Sequence, residues 1–360
     1  MVVQKSASQR SPKRSRRGIG IAAAVIAVGL LGWVITEPAS AGPISPPAAA
    51  VLPADAVAPV VSRISGADRF ELAVEIAKRV TPWAANTVYL ASGVSFPDAL
   101  SAGPAAAANA APLLLVAQDA VPDSVAAALV RINPTSVVLV GGPATVSDRV
   151  LATVRSILPR ALVKRIAGAD RYAVSRSVIS DAFPAGAASV VVATGRDFPD
   201  ALSAGAAAGA GGSPVLLVDG LAPVADDATK ALVRDLGASV ATVVGGPLSV
   251  STGVQGTILA GGWVPRISGS SRYEVSLNVF TSFSADFGTV YLVSGASFPD
   301  ALAGGVLAAK TNAPMFVVPG DCVPQGVLSL MADRGTLQVQ LIGGPATLGA
   351  GVAALVPCSF

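Results

Sequence analysis

One phrase recurs three times in this chain, about a hundred residues apart, and it dictates the architecture. Ser95–Gly103 reads SFPDALSAG, Asp197–Gly205 reads DFPDALSAG and Ser297–Gly305 reads SFPDALAGG. Two other phrases keep step with it. RISGADRF at Arg63 returns as RIAGADRY at Arg165 and RISGSSRY at Arg266, and a Gly-Gly-Pro after an apolar run starts at Gly141, Gly245 and Gly343. A period this long is domain-sized, so the chain carries tandem modules and not thin solenoid repeats.

Short apolar runs alternate with helical patterns inside each unit. VVSRIS, TVYLAS, PLLLVA and SVVLVG read as strands in the first. Uninterrupted apolar runs mean burial on both faces, as in a parallel sheet. Between them, ADRFELAVEIAKRV sets Phe70, Ala73, Ala77 and Val80 on one helical face, with Glu71, Glu75, Lys78 and Arg79 off it. The alternation predicts three α/β modules with mostly parallel sheets, over residues 60–160, 161–262 and 263–360. The Arg-Ile-Ser-Gly strand leaves two arrangements open. It belongs to the unit that follows it, or the chain closes in a ring and the first strand completes the third unit.

Composition removes several function classes. Apolar residues make up 52% and charged residues 13%, which excludes a disordered chain. The pI near 9.0 comes from Lys5, Arg10, Lys13, Arg14, Arg16 and Arg17. Setting these and Glu37 aside leaves slightly more acids than bases, so no basic face for nucleic acid is expected. The basic start, the uncharged run Gly18–Thr36 and Ala39-Ser40-Ala41 make residues 1–41 a signal peptide cleaved after Ala41, or a retained anchor. Membrane contact through residues 18–36 is expected only if they are retained. Residues 42–59 read as a Pro/Ala-rich linker. In an exported chain, Cys322 and Cys358 are candidates for a disulfide that staples the C-terminus. With no His, the chain lacks Ser-His-Asp and Cys-His mechanisms and His-ligated metal sites. No cofactor motif appears.

The recurring charges are the candidate site. Asp98, Asp200 and Asp300 stand where a strand end leads into an Ala-rich helix, the place where open α/β sheets bind ligands. Ser95 and Asp98 have the form of a capping box. A cap would tolerate Ser or Asn, yet Asp occurs each time, so structural and ligand-binding roles both stand. In the other phrase Asp68 and Asp170 are helix caps that Ser271 replaces, while Arg69, Arg171 and Arg272 never change. A cation at a helix N-terminus opposes the dipole. Either an internal carboxylate offsets it, Asp98 being the obvious partner of Arg69, or an anionic ligand does. Arg63, Arg165 and Arg266 read as paired or solvated at a strand edge. Gly-Gly-Pro reads as a tight turn into a helix capped by Ser147, in preference to a phosphate loop.

RISGADRF, FPDALSAG and VLVGGPATVS, in that order and three times over, resemble the cell-wall-binding repeat 2 (CWB2) family across nearly all of the chain beyond residue 60. The resemblance implies noncatalytic modules, Rossmann- or Toprim-like, around a pseudo-threefold axis with ligand grooves between them. It implies non-covalent attachment of a secreted, surface-located protein to an anionic cell-wall polysaccharide or teichoic-acid-like polymer. Arg69, Asp98, Arg171, Asp200, Arg272 and Asp300 are then groove residues, with a weaker site at Ser270-Ser271. The family typically attaches an effector domain; leader, linker and three modules alone imply an anchor or coat-like role. A secreted carbohydrate-active hydrolase and a self-assembling surface-layer protein are the other readings. Three near-identical carboxylate contexts argue for repeated binding through avidity over one active site.

Overall fold

Apolar strands only a few residues long cannot stand alone, and here each set of four is sealed by helices on both faces. The structure is a computed structural model and describes residues 58–283 and 285–359. The expected leader, with its membrane-contact segment, and all but the last two residues of the expected linker lie outside them. The first repeat runs β1 (Val60–Ile64), α1 (Arg69–Val80), β2 (Thr87–Ser92), α2 (Phe96–Ala108), β3 (Leu113–Val116), α3 (Asp123–Ile132), β4 (Ser136–Val140) and α4 (Asp148–Ile157). The second runs β5 (Leu162–Ile166), α5 (Arg171–Ala182), β6 (Ser189–Thr194), α6 (Pro199–Ala210), β7 (Val215–Val218), α7 (Asp227–Asp235), β8 (Val240–Val244) and α8 (Thr252–Thr257). The third runs β9 (Arg266–Ile267), α9 (Arg272–Ser282), β10 (Thr289–Ser294), α10 (Pro299–Thr311), β11 (Met315–Val318), α11 (Gln325–Asp333), β12 (Gln338–Ile342) and α12 (Ala350–Ala353).

These strands form three four-stranded sheets, ordered β3-β2-β4-β5, β7-β6-β8-β9 and β11-β10-β12-β1, and every pairing is parallel. The strand opening each repeat therefore completes the sheet of the repeat before it. β5 pairs with β4, β9 with β8, and β1 with β12 from Val60↔Gln338 to Ile64↔Ile342. Of the two arrangements open in sequence, the ring is the one formed. The strand cannot sit elsewhere, because Ile64, Ile166 and Ile267 pack in the core and their Arg neighbours reach back into the preceding turn.

The core explains the Ala-rich composition. α2, α6 and α10 pack against one another around the axis. Ala99, Ala102, Ala204, Ala206, Ala303 and Ala308 are at most 1% exposed. A Cβ added to Gly209 would lie 3.0 Å from Ala309 Cβ and 3.1 Å from Ala107 Cβ, so larger side chains would drive these helices apart. Only a cavity of about 10 Å³ remains between them. One apolar cluster runs through all three repeats, and the outer faces of the first two sheets carry their own. Cys322 and Cys358 are joined, with Cα atoms 5.0 Å apart, which ties the C-terminal tail to the loop after β11. No helix among the described residues is long and apolar enough to cross a membrane.

Candidate functional site

The Asp of the FPDAL phrase enters its helix facing the Gly-Gly-Pro turn of its own repeat. Asp98 is 6% exposed, and Thr145 Oγ1 donates to its Oδ2 at 3.0 Å. Thr347 donates to Asp300 Oδ2 at 3.3 Å, and Ser249 stands beside Asp200 in the same way. The turn has to be glycine at its first position. Gly141, Gly245 and Gly343 have φ of 123°, 113° and 130°, and a Cβ on Gly141 would come within 2.9 Å of Asp98 Oδ2.

This arrangement replaces the expected capping box. The Ser95 side chain makes no cap bond, and Ser92 Oγ instead accepts from the Val94 and Ser95 amides at 3.1 and 3.0 Å. Asp98 is drawn to the Thr145 hydroxyl, so it does not fold back over the helix end. The turn expected to be capped by Ser147 also differs: Ser147 occupies the N-cap of α4 with no side-chain bond, whereas Ser251 accepts from the Val254 amide. In the other phrase, Asp68, Asp170 and Ser271 do cap α1, α5 and α9.

Arg69 does not pair with Asp98. Its Nη1 donates to Gly93 O at 2.7 Å, and Arg171 and Arg272 donate to Gly195 O and Gly295 O at the same distance. The carboxyl that each Arg faces comes from the preceding repeat: Arg171 acts on Asp98, Arg272 on Asp200 and Arg69 on Asp300. The cause is helix packing. α5 lies against α2, α9 against α6, and α1 closes the circle against α10. Arg171 also lies 5.9 Å from the Phe96 ring and Arg272 5.7 Å from that of Phe198, in the same direction around the ring.

Between repeats 1 and 2 these residues enclose a groove of about 200 Å³. Ser95, Asp98, Gly142 and Thr145 form one wall, and Asp170 and Arg171 the other. At the axis, Phe96, Phe198 and Phe298 meet with ring centroids 5.7–5.8 Å apart. The three hydroxyls Thr145, Ser249 and Thr347 and the three Phe rings escaped the reading of the sequence. The signal was present: the fifth residue of every Gly-Gly-Pro phrase carries a hydroxyl, and Phe precedes every Pro-Asp. Arg63, Arg165 and Arg266 are structural, each spending its guanidinium on turn carbonyls, among them Gly343 O, Gly141 O and Gly245 O at 2.7–2.8 Å.

Burial pushes the Asp98, Asp200 and Asp300 carboxyls above the usual carboxylate range, against the pull of the neighbouring hydroxyls and Arg side chains. Between the ordinary Asp value and the raised ones, the folded protein thus holds protons there that the unfolded chain has released. Their contribution to stability is fully present below the ordinary Asp value and is lost as pH rises through the raised ones. Asp219, Asp226 and Glu274 are lowered and act in the opposite sense. The triple change Asp98→Asn, Asp200→Asn and Asp300→Asn isolates the first set. Wild type is expected to gain melting temperature relative to this variant between about pH 7 and about pH 4.5. A difference that stays constant with pH would place the three carboxyls at ordinary values.

The sequence profile described as cell wall binding domain 2 (CWB2) matches residues 63–151, 165–255 and 266–353. The chain is 31% identical over 294 residues to N-acetylmuramoyl-L-alanine amidase LytC of Bacillus subtilis (strain 168), and 30% identical over 294 residues to the amidase enhancer of the same organism. Both alignments take in 81% of this chain, but 57% and 39% of those proteins. Among solved structures, Cwp6 from Clostridium difficile superposes with a TM-score of 0.72 at 27% identity, over 83% of this chain and 48% of that one. Cwp8 from Clostridium difficile shares the fold, with a TM-score of 0.73 at 23% identity over 82% and 51%. The chain thus spans about half the length of the proteins it resembles. Among the described residues no cluster of His, Cys, Asp or Glu could hold a metal ion.

Proposed function

The chain belongs to the cell wall binding domain 2 family, whose modules are noncatalytic and act at the cell surface, and from this we propose that its three inter-repeat grooves hold an anionic cell-wall polysaccharide or teichoic-acid-like polymer. One observation carries the reading. At each repeat boundary an Arg from one repeat, fixed through Nη1 to a strand-end carbonyl, faces a buried carboxyl and a hydroxyl-bearing turn of the repeat before it, and between repeats 1 and 2 these residues line a groove. The rest of the guanidinium remains for a phosphate or carboxylate, which it binds in a planar fork. The carboxyl and the Thr or Ser hydroxyl suit the sugar or polyol hydroxyls of the same polymer. Asp98, Arg171 and Thr145 serve one groove, Asp200, Arg272 and Ser249 the second, and Asp300, Arg69 and Thr347 the third.

All-parallel sheets with the groove outside the carboxyl ends of the strands support kinship with Rossmann- or Toprim-like folds. Export through the basic, apolar leader belongs to the same reading, as does anchorage of the protein at the wall. The test is co-sedimentation of the protein with purified cell walls before and after their anionic polymers are stripped. Binding is expected to fall sharply on stripping and to weaken with salt, because exposed charges are screened within about 10 Å at 0.1 M. Equal binding to stripped walls would assign the ligand to the neutral glycan and overturn the anionic assignment.

A further inference from the structure

The three repeat boundaries differ by one carboxylate. After the strand-end glycine, repeats 1 and 3 carry Val94-Ser95 and Ala296-Ser297, whereas repeat 2 carries Arg196-Asp197. Arg196 is spent on Asp219, with Nε donating to Oδ1 at 2.6 Å and Nη2 to Oδ2 at 3.3 Å. Its charge is therefore cancelled beside the groove. Asp197 is held differently. Its Oδ1 accepts from the Phe198 amide at 2.9 Å, and its Oδ2 lies 3.9 Å from Arg272 Nη2 in the next repeat. Among the described residues neither Arg69 nor Arg171 has a carboxylate within 4.0 Å. Arg272 alone of the three thus has a second carboxylate, within ion-pair distance, besides the buried Asp of the preceding repeat that each Arg faces. Burial is the main reason the Asp200 carboxyl is raised, and the Asp197 charge adds to it.

We propose that Asp197 is a specificity-determining residue that makes the groove between repeats 2 and 3 the weakest of the three for anions. An incoming phosphate or carboxylate has to share Arg272 with Asp197, while at Arg69 and Arg171 it meets a guanidinium with no such competitor. A polyanion is then held mainly by the other two grooves. This inference rests on the reading of the grooves as anion sites.

The test uses the full chain with purified cell walls at low salt. Asp197→Ser installs the residue that the other two repeats carry, at a side chain 58% exposed, so the melting temperature should stay near that of wild type. Binding to walls should rise about two- to fivefold, the range spanned by one exposed ion pair, and the gain should vanish at about 1 M salt. In the wild-type background Arg272→Ala should cost less binding than Arg171→Ala; in the Asp197→Ser background the two should cost about the same. If Asp197→Ser leaves binding unchanged or lowers it while Arg171→Ala still weakens it, the inference is overturned and the groove reading stands. If no Arg substitution weakens binding in a normally melting protein, the groove reading fails and takes the inference with it.

Discussion

Replacing Arg69, Arg171 and Arg272 together with Ala is expected to lower wall binding by about 10²–10⁴, because linked sites multiply their affinities. Single changes should each cost only a few-fold, with Arg272→Ala the mildest. The three side chains also have structural duties: each holds a strand-end carbonyl at 2.7 Å, and at least two stack near a Phe ring of the preceding repeat. Losing one such charge-assisted bond costs about 1.5–3 kcal/mol. Thermal melts beside the sedimentation assay separate the roles. A triple variant measured well below its melting temperature, yet unable to bind, identifies the Arg set as ligand contacts. A triple variant that melts like wild type and binds walls fully would rule the set out and move the search to the FPDAL turns.

A chain that begins at Gly66 is expected to lose the third repeat as a stable unit, although the deletion is nearly three hundred residues from β12 in sequence. β1 covers the whole edge of β12 and buries Ile64, while Arg63 donates to Gly343 O at 2.7 Å and to Leu348 O at 2.8 Å. Burial of one Ile and two charge-assisted bonds together supply roughly 5 kcal/mol or more, against about 5–15 kcal/mol for a whole domain. Hydrogen exchange should show β12 and α10 opening first. A circular permutant carrying residues 58–65 after Cys358, through a flexible linker of about 15 residues, should restore the melt. If the truncated chain melts like the wild type, closure by β1 is not needed for the third repeat.

The raised carboxyls connect the two results. Asp98, Asp200 and Asp300 are packed against the Gly-Gly-Pro turns of their own repeats, and β1 holds the third of these turns through Arg63, so opening the ring at β1 should also return Asp300 toward an ordinary value. The Gly-Gly-Pro turns transmit the same dependence: the arginine of the completing strand clamps the turn whose Thr or Ser stands at the Asp. Sheet closure, turn geometry and groove are thus one mechanical unit at each repeat boundary.

Much of this is legible in the sequence alone. Three ordered phrases at a domain-sized spacing set the number of modules, and the apolar runs set their parallel sheets, because both are local patterns. The invariance of Asp98, Asp200 and Asp300, and of Arg69, Arg171 and Arg272, marked those residues for a role. What sequence could not decide was partnership. Identical repeats are interchangeable on paper, so Arg69 is as good a partner for Asp98 as Arg171 is, and the capping box for Ser95 and Asp98 is as plausible as a bond to Thr145. Tertiary structure breaks the degeneracy: parallel pairing sends each opening strand back to the previous sheet, and packing lays each Arg-bearing helix on the previous FPDAL helix. Apart from the Arg-to-carbonyl bonds, which span 23 or 24 residues within a repeat, the contacts that make the site cross a repeat boundary or run from Asp to turn hydroxyl, 47 residues apart in the first and third repeats, distances over which local periodicity carries no information.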